Sequence, residues 1–163
     1  MKRFENLEFD EFTESDVETI TPIMKRAFDE DTRLHAGKSA GGPPGYDDGS
    51  FLRQWALHPE SVAYRILKEN APIGAVIVWP KPTGENFLGC LFLDPSCQDQ
   101  GLGLTAWRFV ESEYPDAIRW GTETIATSRR NHYFYVNKCG FRIVRIEGKG
   151  DDAQYAMEKV MPR

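Results

Sequence analysis

A chain of 163 residues, 40% hydrophobic and 28% charged, is long enough to bury its own core as one domain and too apolar to be disordered throughout. Its net charge of -5 argues against nucleic acid as the main partner, since phosphate binding needs clustered Lys and Arg, and the longest basic cluster is Arg129-Arg130. Cys90, Cys97 and Cys139 form neither a disulfide framework nor a zinc pattern, which suits a reducing compartment and leads us to expect no metal. The N-terminus has no apolar stretch resembling a signal peptide, and the apolar runs, such as that from Ala75 to Trp79, are too short to span a membrane. The expectation is a cytoplasmic single domain over residues 1–163 without a membrane partner, and a homodimer stays open.

Strand and helix signals alternate, pointing to a layered α/β domain. Residues 7–12 read as a strand, and Thr13-Glu14-Ser15-Asp16 reads as a capping box. Val17, Ile20, Met24, Ala27 and Phe28 then recur at helical spacing, with Pro22 expected to kink or divide the helix. Residues 36–49 are rich in Gly and Pro and form a long loop. A helix over 50–57 follows, with Phe51, Leu52 and Trp55 facing inward.

Val62, Tyr64 and Ile66 alternate as a strand, and a turn at 69–72 leads into a second strand over 73–79. Residues 87–93 read as a strand covered on both faces. Gly103, Ala106, Trp107, Val110 and Tyr114 mark an amphipathic helix that Pro115 ends. A strand over 117–126, a short helix over 130–138 capped by Gly140, and strands over 141–146 and 155–161 complete the pattern.

The segment Gln98-Asp99-Gln100-Gly101-Leu102-Gly103 lies between the covered strand and the long helix. A helix N-terminus offers unpaired N–H groups and the positive end of the dipole, and the glycines let an anion approach the backbone. The loop is a candidate pyrophosphate cradle, weighed against an ordinary glycine turn. Gly101 to Ala106 also fits G-x-G-x-x-A, with Glu123 near a ribose position. That dinucleotide pattern, however, wants its first glycine directly after the strand. Gly37-Lys38-Ser39 mimics the end of a P-loop, but the required first glycine falls on Thr32.

A second constellation runs from Asn131 through Tyr133, Phe134 and Tyr135 to Gly140-Phe141. Phe134 and Phe141 suit core packing, whereas Asn131 and Tyr135, four apart, share one helix face. Together, Gln98-x-x-Gly101-x-Gly103 and this second segment resemble the acetyl-CoA motifs of GNAT (Gcn5-related) acetyltransferases. The element order from Leu7 to Met161 is similar to that family's as well. The gap from Tyr135 to Gly140 is one residue longer than in many members.

The resemblance implies a mixed, mostly antiparallel sheet of about seven strands, flanked by helices and splayed after residues 87–93 to admit acetyl-CoA. It implies that main-chain groups of Leu91, Phe92 and Leu93 pair with the pantetheine arm. Gln98 and the N–H groups of Gln100, Gly101, Leu102, Gly103 and Leu104 hold the pyrophosphate, and Asn131 bonds the arm near the thioester. The implied reaction is direct acetyl transfer to an amine, with a small molecule as acceptor. Tyr135, with Tyr133 as the alternative, is the general acid for the leaving thiolate, and Glu123 is the first candidate base, ahead of Asp47 and Asp48. Gly45-Tyr46-Asp47-Asp48-Gly49 offers carboxylates and a ring to a cationic acceptor, with Tyr46 and Asp47 as the contacts and Asp48 read as a helix cap. A non-catalytic acetyl-CoA sensor or a dinucleotide-binding protein is the alternative reading.

Overall fold

The computed structural model describes residues 1–162. Its strands are β1 (Lys2–Phe4), β2 (Leu7–Glu11), β3 (Val62–Lys68), β4 (Ala71–Trp79), β5 (Glu85–Leu93), β6 (Arg119–Ile125), β7 (Arg142–Glu147) and β8 (Gln154–Val160). The helices are α1 (Glu14–His35), α2 (Ser50–Trp55), α3 (Leu102–Glu113) and α4 (Arg129–Tyr133). One sheet takes the order β1-β2-β3-β4-β5-β6-β8-β7. Every neighbouring pair is antiparallel except β5 and β6. The fold is thus the mixed, mostly antiparallel sheet flanked by helices that the sequence implies, with eight strands rather than about seven. The additional strand, β1, has three residues, too few to show an alternation.

Helix α1 begins at the expected capping box, where the Thr13 N–H donates to Asp16 Oδ2 at 2.8 Å. It is one continuous helix through Pro22, not two pieces. Pro22 and Glu18, whose carbonyl loses its partner, both lie on the exposed face, where water replaces the missing bond. The inner face buries Val17, Ile20, Ile23, Met24 and Ala27 against Ala63, Ala75, Ile77 and Phe92.

The opposite face of the sheet carries the larger core. Leu102, Ala106, Trp107, Phe109 and Val110 of α3 pack there on Leu7, Phe9, Ile66 and Leu88. Trp107 and Trp120 are both fully buried and meet edge to face, with centroids 5.2 Å apart. Between these two cores, the centre of the sheet is closed on both faces, which explains the nearly continuous apolar runs of β4 and β5.

The sheet parts in the middle. β5 and β6 pair only from Glu85↔Arg119 to Leu88↔Thr122. Thr122 Oγ1 donates to the Leu88 carbonyl at 2.9 Å and closes the paired stretch. In the next step the β4–β5 register shifts between Ile77 and Val78, leaving Gly89 as the extra residue. Such a bulge bends and twists its strand. β5 then follows β4 as far as Leu93↔Gly74, while β6 follows β8 as far as Ile125↔Gln154.

Gly74 sets how closely β4 and β5 run at the end of the split. A Cβ there would stand 2.0 Å from the Phe92 carbonyl oxygen, and neither backbone can yield without moving β5. Gly74→Ala is expected to lower the unfolding free energy by about 3 kcal/mol, at the upper end of overpacking costs. A urea melt that superimposes on the wild type's would show that the strands absorb the methyl group.

Candidate active site

Two cavities open where β5 leaves β6. The first, about 330 Å³, is walled by the end of β5, by residues 97–104 and by α4. The second, about 610 Å³, lies between β5, β6 and the loop at residues 36–44. Phe28, Asp31, Leu91 and Asn131 line both, so these four residues mark where the cavities meet.

The ladder dictates which β5 groups face the gap. Asp94 N–H donates to Ile73 O at 2.7 Å. Bonded positions alternate along an antiparallel pair, so Cys90 and Phe92 turn their main-chain groups to β4, and Leu91 and Leu93 turn theirs into the split. Phe92 therefore departs from the expected trio of pairing residues, although it still lines the first cavity. The Leu93 carbonyl accepts from Gln98 Nε2 at 3.3 Å, and Gln98 Oε1 accepts from Arg130. Gln98 thereby ties β5 to α4 at the cavity wall.

The loop before α3 ends in a helix terminus with free N–H groups. Gly101 caps α3 in the left-handed region at φ 76°, with open space where a Cβ would be. The first-turn N–H groups of Leu102, Gly103 and Leu104 have no acceptor within the helix, and all three residues line the first cavity. At Gly103 a Cβ would press on the Phe134 ring at 3.2 Å, so the absent side chain lets Phe134 pack against the helix terminus. Gln100 does not line the cavity. Its amide bonds Ser96 O at 3.3 Å and Lys68 Nζ at 3.1 Å, which leaves it only its main chain to offer.

Two cations on this wall were not singled out from the sequence. Arg130 and Lys138 both line the first cavity, and Lys138 Nζ lies 5.7 Å from the centre of the Tyr133 ring. The position of Arg130 beside Asn131 was the available signal. Its adjacency to Arg129 in a chain of net negative charge disguised it as surface.

After α4 the backbone widens into a π-helix over Phe134–Cys139. The N–H groups of Gly140 and Phe141 both return to the Tyr135 carbonyl. A π turn holds one more residue than an α turn, and this absorbs the longer spacing between Tyr135 and Gly140. Tyr135 is turned inward to line the second cavity, whereas Tyr133 is 57% exposed at the rim of the first. Burial, with lesser contributions from Cys90 and Cys139, pushes the Tyr135 phenol far above its usual range. Burial also pushes the Cys90 thiol up to about 12. Asn131 is anchored through its Nδ2, which donates to Thr124 Oγ1 at 3.1 Å.

Glu123 lines the second cavity with Asp31, Asp151 and Asp152, and Lys38 is the facing cation. The pair Tyr46 and Asp47 lines neither cavity. The Tyr46 hydroxyl donates to Asp29 Oδ1 at 2.6 Å, and its ring packs on Phe28 with centroids 6.2 Å apart. Asp48 accepts from Ser50 N at 2.9 Å and Ser50 Oγ at 2.6 Å, fixing the turn into α2.

The sheet parts at a bulge, and a helix terminus with free N–H groups stands at the parting. The profile of the "Acetyltransferase (GNAT) family" matches residues 20–141, most of the sequence, and the chain belongs to that family. An acetyltransferase from Thermus thermophilus has the same fold, with a TM-score of 0.72 at 18% identity over 98% of this chain and 100% of that one. So does the PaiA N-acetyltransferase from Thermoplasma acidophilum in complex with coenzyme A, with a TM-score of 0.73 at 15% identity over 95% and 99%. The "Uncharacterized protein YrkN" of Bacillus subtilis (strain 168) is 42% identical over 89 residues, 54% of this chain. The match spans about half, 48%, of that relative's own length. Among the described residues no helix is long and apolar enough to cross a membrane.

The Tyr46–Asp29 contact has a definite pH signature. The hydrogen bond to Asp29, then burial, raises the Tyr46 phenol to about 12. Its contribution is whole below the ordinary tyrosine value of about 10 and is lost as pH rises through about 12. Tyr46→Phe should cost about 1 kcal/mol at neutral pH, and urea melts of the two proteins should converge between those limits. A gap that is constant with pH would separate the effect from the hydroxyl.

Proposed function

We propose that this chain transfers an acetyl group from acetyl-coenzyme A directly to an amine, and that the acceptor is a small amine carrying positive charge. The observation that carries the reading is the meeting of two unlike cavities at one split. The first has free N–H groups, Arg130 and Lys138 with Asp99; the second has Glu123, Asp151 and Asp152 with Lys38; Asp31 lines both.

The first wall fits a diphosphate and its arm. N–H groups at Gly101 to Leu104 receive the pyrophosphate, Arg130 and Lys138 add charge, and Gln98 holds Arg130 in place. Leu91 and Leu93 offer main-chain groups to the pantetheine amides in the manner of a neighbouring strand. Asn131, at the junction, orients the arm. Bound acetyl-CoA supplies the activated thioester carbonyl. In this reading the Leu93 N–H receives the oxyanion that develops on it.

Tyr135 protonates the departing thiolate. Its raised pKa does not oppose this role, because the burial that penalises a phenolate penalises a thiolate in the same place. Relative proton affinity decides the transfer. Glu123 attracts the cationic acceptor from β6 and remains a candidate base.

Two measurements test the reading. Thiol release from acetyl-CoA in the presence of an amine panel should pick out small cationic acceptors; a preference for neutral or anionic acceptors would remove the acid-lined cavity from the argument. Tyr135→Phe should lower turnover about 10- to 1000-fold with acetyl-CoA affinity nearly unchanged, whereas Tyr133→Phe does much less. The opposite ranking would assign the acid to the rim.

A further inference from the structure

An amine held among carboxylates arrives as an ammonium, which has no lone pair for attack. Its first proton must leave before the carbon–nitrogen bond forms, and the acceptor must lie where the amine meets the thioester. Asp31 is the one carboxylate that lines both cavities. Glu123, Asp151 and Asp152 line the second cavity alone, and Asp99 the first alone.

The surroundings of Asp31 are those of a held group with one oxygen spare. Its Oδ1 accepts from Ser128 Oγ at 2.8 Å, and Ser128 is completely buried. One turn along α1, His35 Nε2 lies 3.9 Å from Asp31 Oδ1. Both ring nitrogens of His35 are shielded from solvent and have no hydrogen-bond partner. Buried polar side-chain atoms are normally paired, and this imidazole is an exception beside a carboxylate. The cations lining the cavities are Arg130 and Lys138 in the first and Lys38 in the second.

Building on the acetyltransfer reading, we propose that Asp31 takes the first proton from the acceptor ammonium, with His35 beside it as a positioning residue. The freed nitrogen lone pair then forms the C–N bond at the thioester carbonyl, and the C–S bond breaks. The thiolate takes the Tyr135 proton, and the second proton lost by nitrogen restores the phenol. The balance is one amide, one thiol and one proton released through Asp31.

The test compares ethylamine, an ammonium at neutral pH, with 2,2,2-trifluoroethylamine, which is largely the free amine there. Asp31→Asn keeps the size and the acceptor for Ser128. It should lower kcat about 100-fold with ethylamine and less than about 5-fold with the fluorinated amine, while the KM for acetyl-CoA stays close to that of the wild type. His35→Gln should show the same ranking with a smaller loss. Equal losses for both amines, a change confined to the amine KM, or no loss at all would overturn the role of Asp31. Wild-type protein that releases no thiol with any amine would overturn the acetyltransfer reading on which it rests.

Discussion

The parting of β5 from β6 after Leu88 and Thr122 is the constraint on which the rest of the site depends. A central strand normally satisfies its polar groups on both edges. Beyond Leu88 only the β4 edge is satisfied, because the Gly89 bulge turns β5 away while β6 remains with β8. Buried main-chain groups require partners. The N–H and C=O groups of Leu91 and Leu93 therefore form a half-built ladder that an amide-bearing arm can complete, and the hydrogen bond from Gln98 to Leu93 O shows that a side chain already uses part of it. The thickness of the core holds the split open. Trp107, Trp120 and Phe141 support one face, and Phe92 with the inner side of α1 supports the other.

The π-helix carries this constraint into the chemistry. Continuing α4 as an ordinary helix would rotate the side chains after Phe134 by about 100° per residue. The extra residue in the turn lets Tyr135 face the second cavity while Gly140 and Phe141 still enter β7 in register with the core. The same widening leaves Phe134 over Gly103, so the helix that bears the phenol and the N-terminus of α3 are packed on one another. A change at Gly103 therefore acts on both.

The sequence made legible what local chemistry encodes. The glycines at 101 and 103, Asn131, the aromatic run and Gly140-Phe141 all lie in two short segments, and their spacing reflects a helix terminus and a helix face directly. Position across the sheet was not legible. Asp31 belongs to a helix almost a hundred residues before Ser128, its hydrogen-bond partner, and no periodicity connects them. Tyr46 and Asp47 were singled out for composition in a loop, but the Tyr46 hydroxyl is committed to Asp29, seventeen residues upstream. A strand over 141–146 was legible, but its place in the sheet was not. As the last strand at the edge of the sheet, it is exposed along its length.

Electrostatics set the two cavities against each other, and that opposition has a chemical consequence. Carboxylates that attract an ammonium also stabilise it, so good binding by itself raises the barrier to attack. A cavity built only to hold a cation would be a poor place to acetylate one. The arrangement avoids this conflict if the binding charge and the proton acceptor are separate groups. Glu123, Asp151 and Asp152 line the second cavity alone, whereas Asp31 lines both, with Ser128 fixing one oxygen and an unpartnered imidazole beside it. The distribution of the acids, more than their number, distinguishes a site that binds amines from one that makes them nucleophiles.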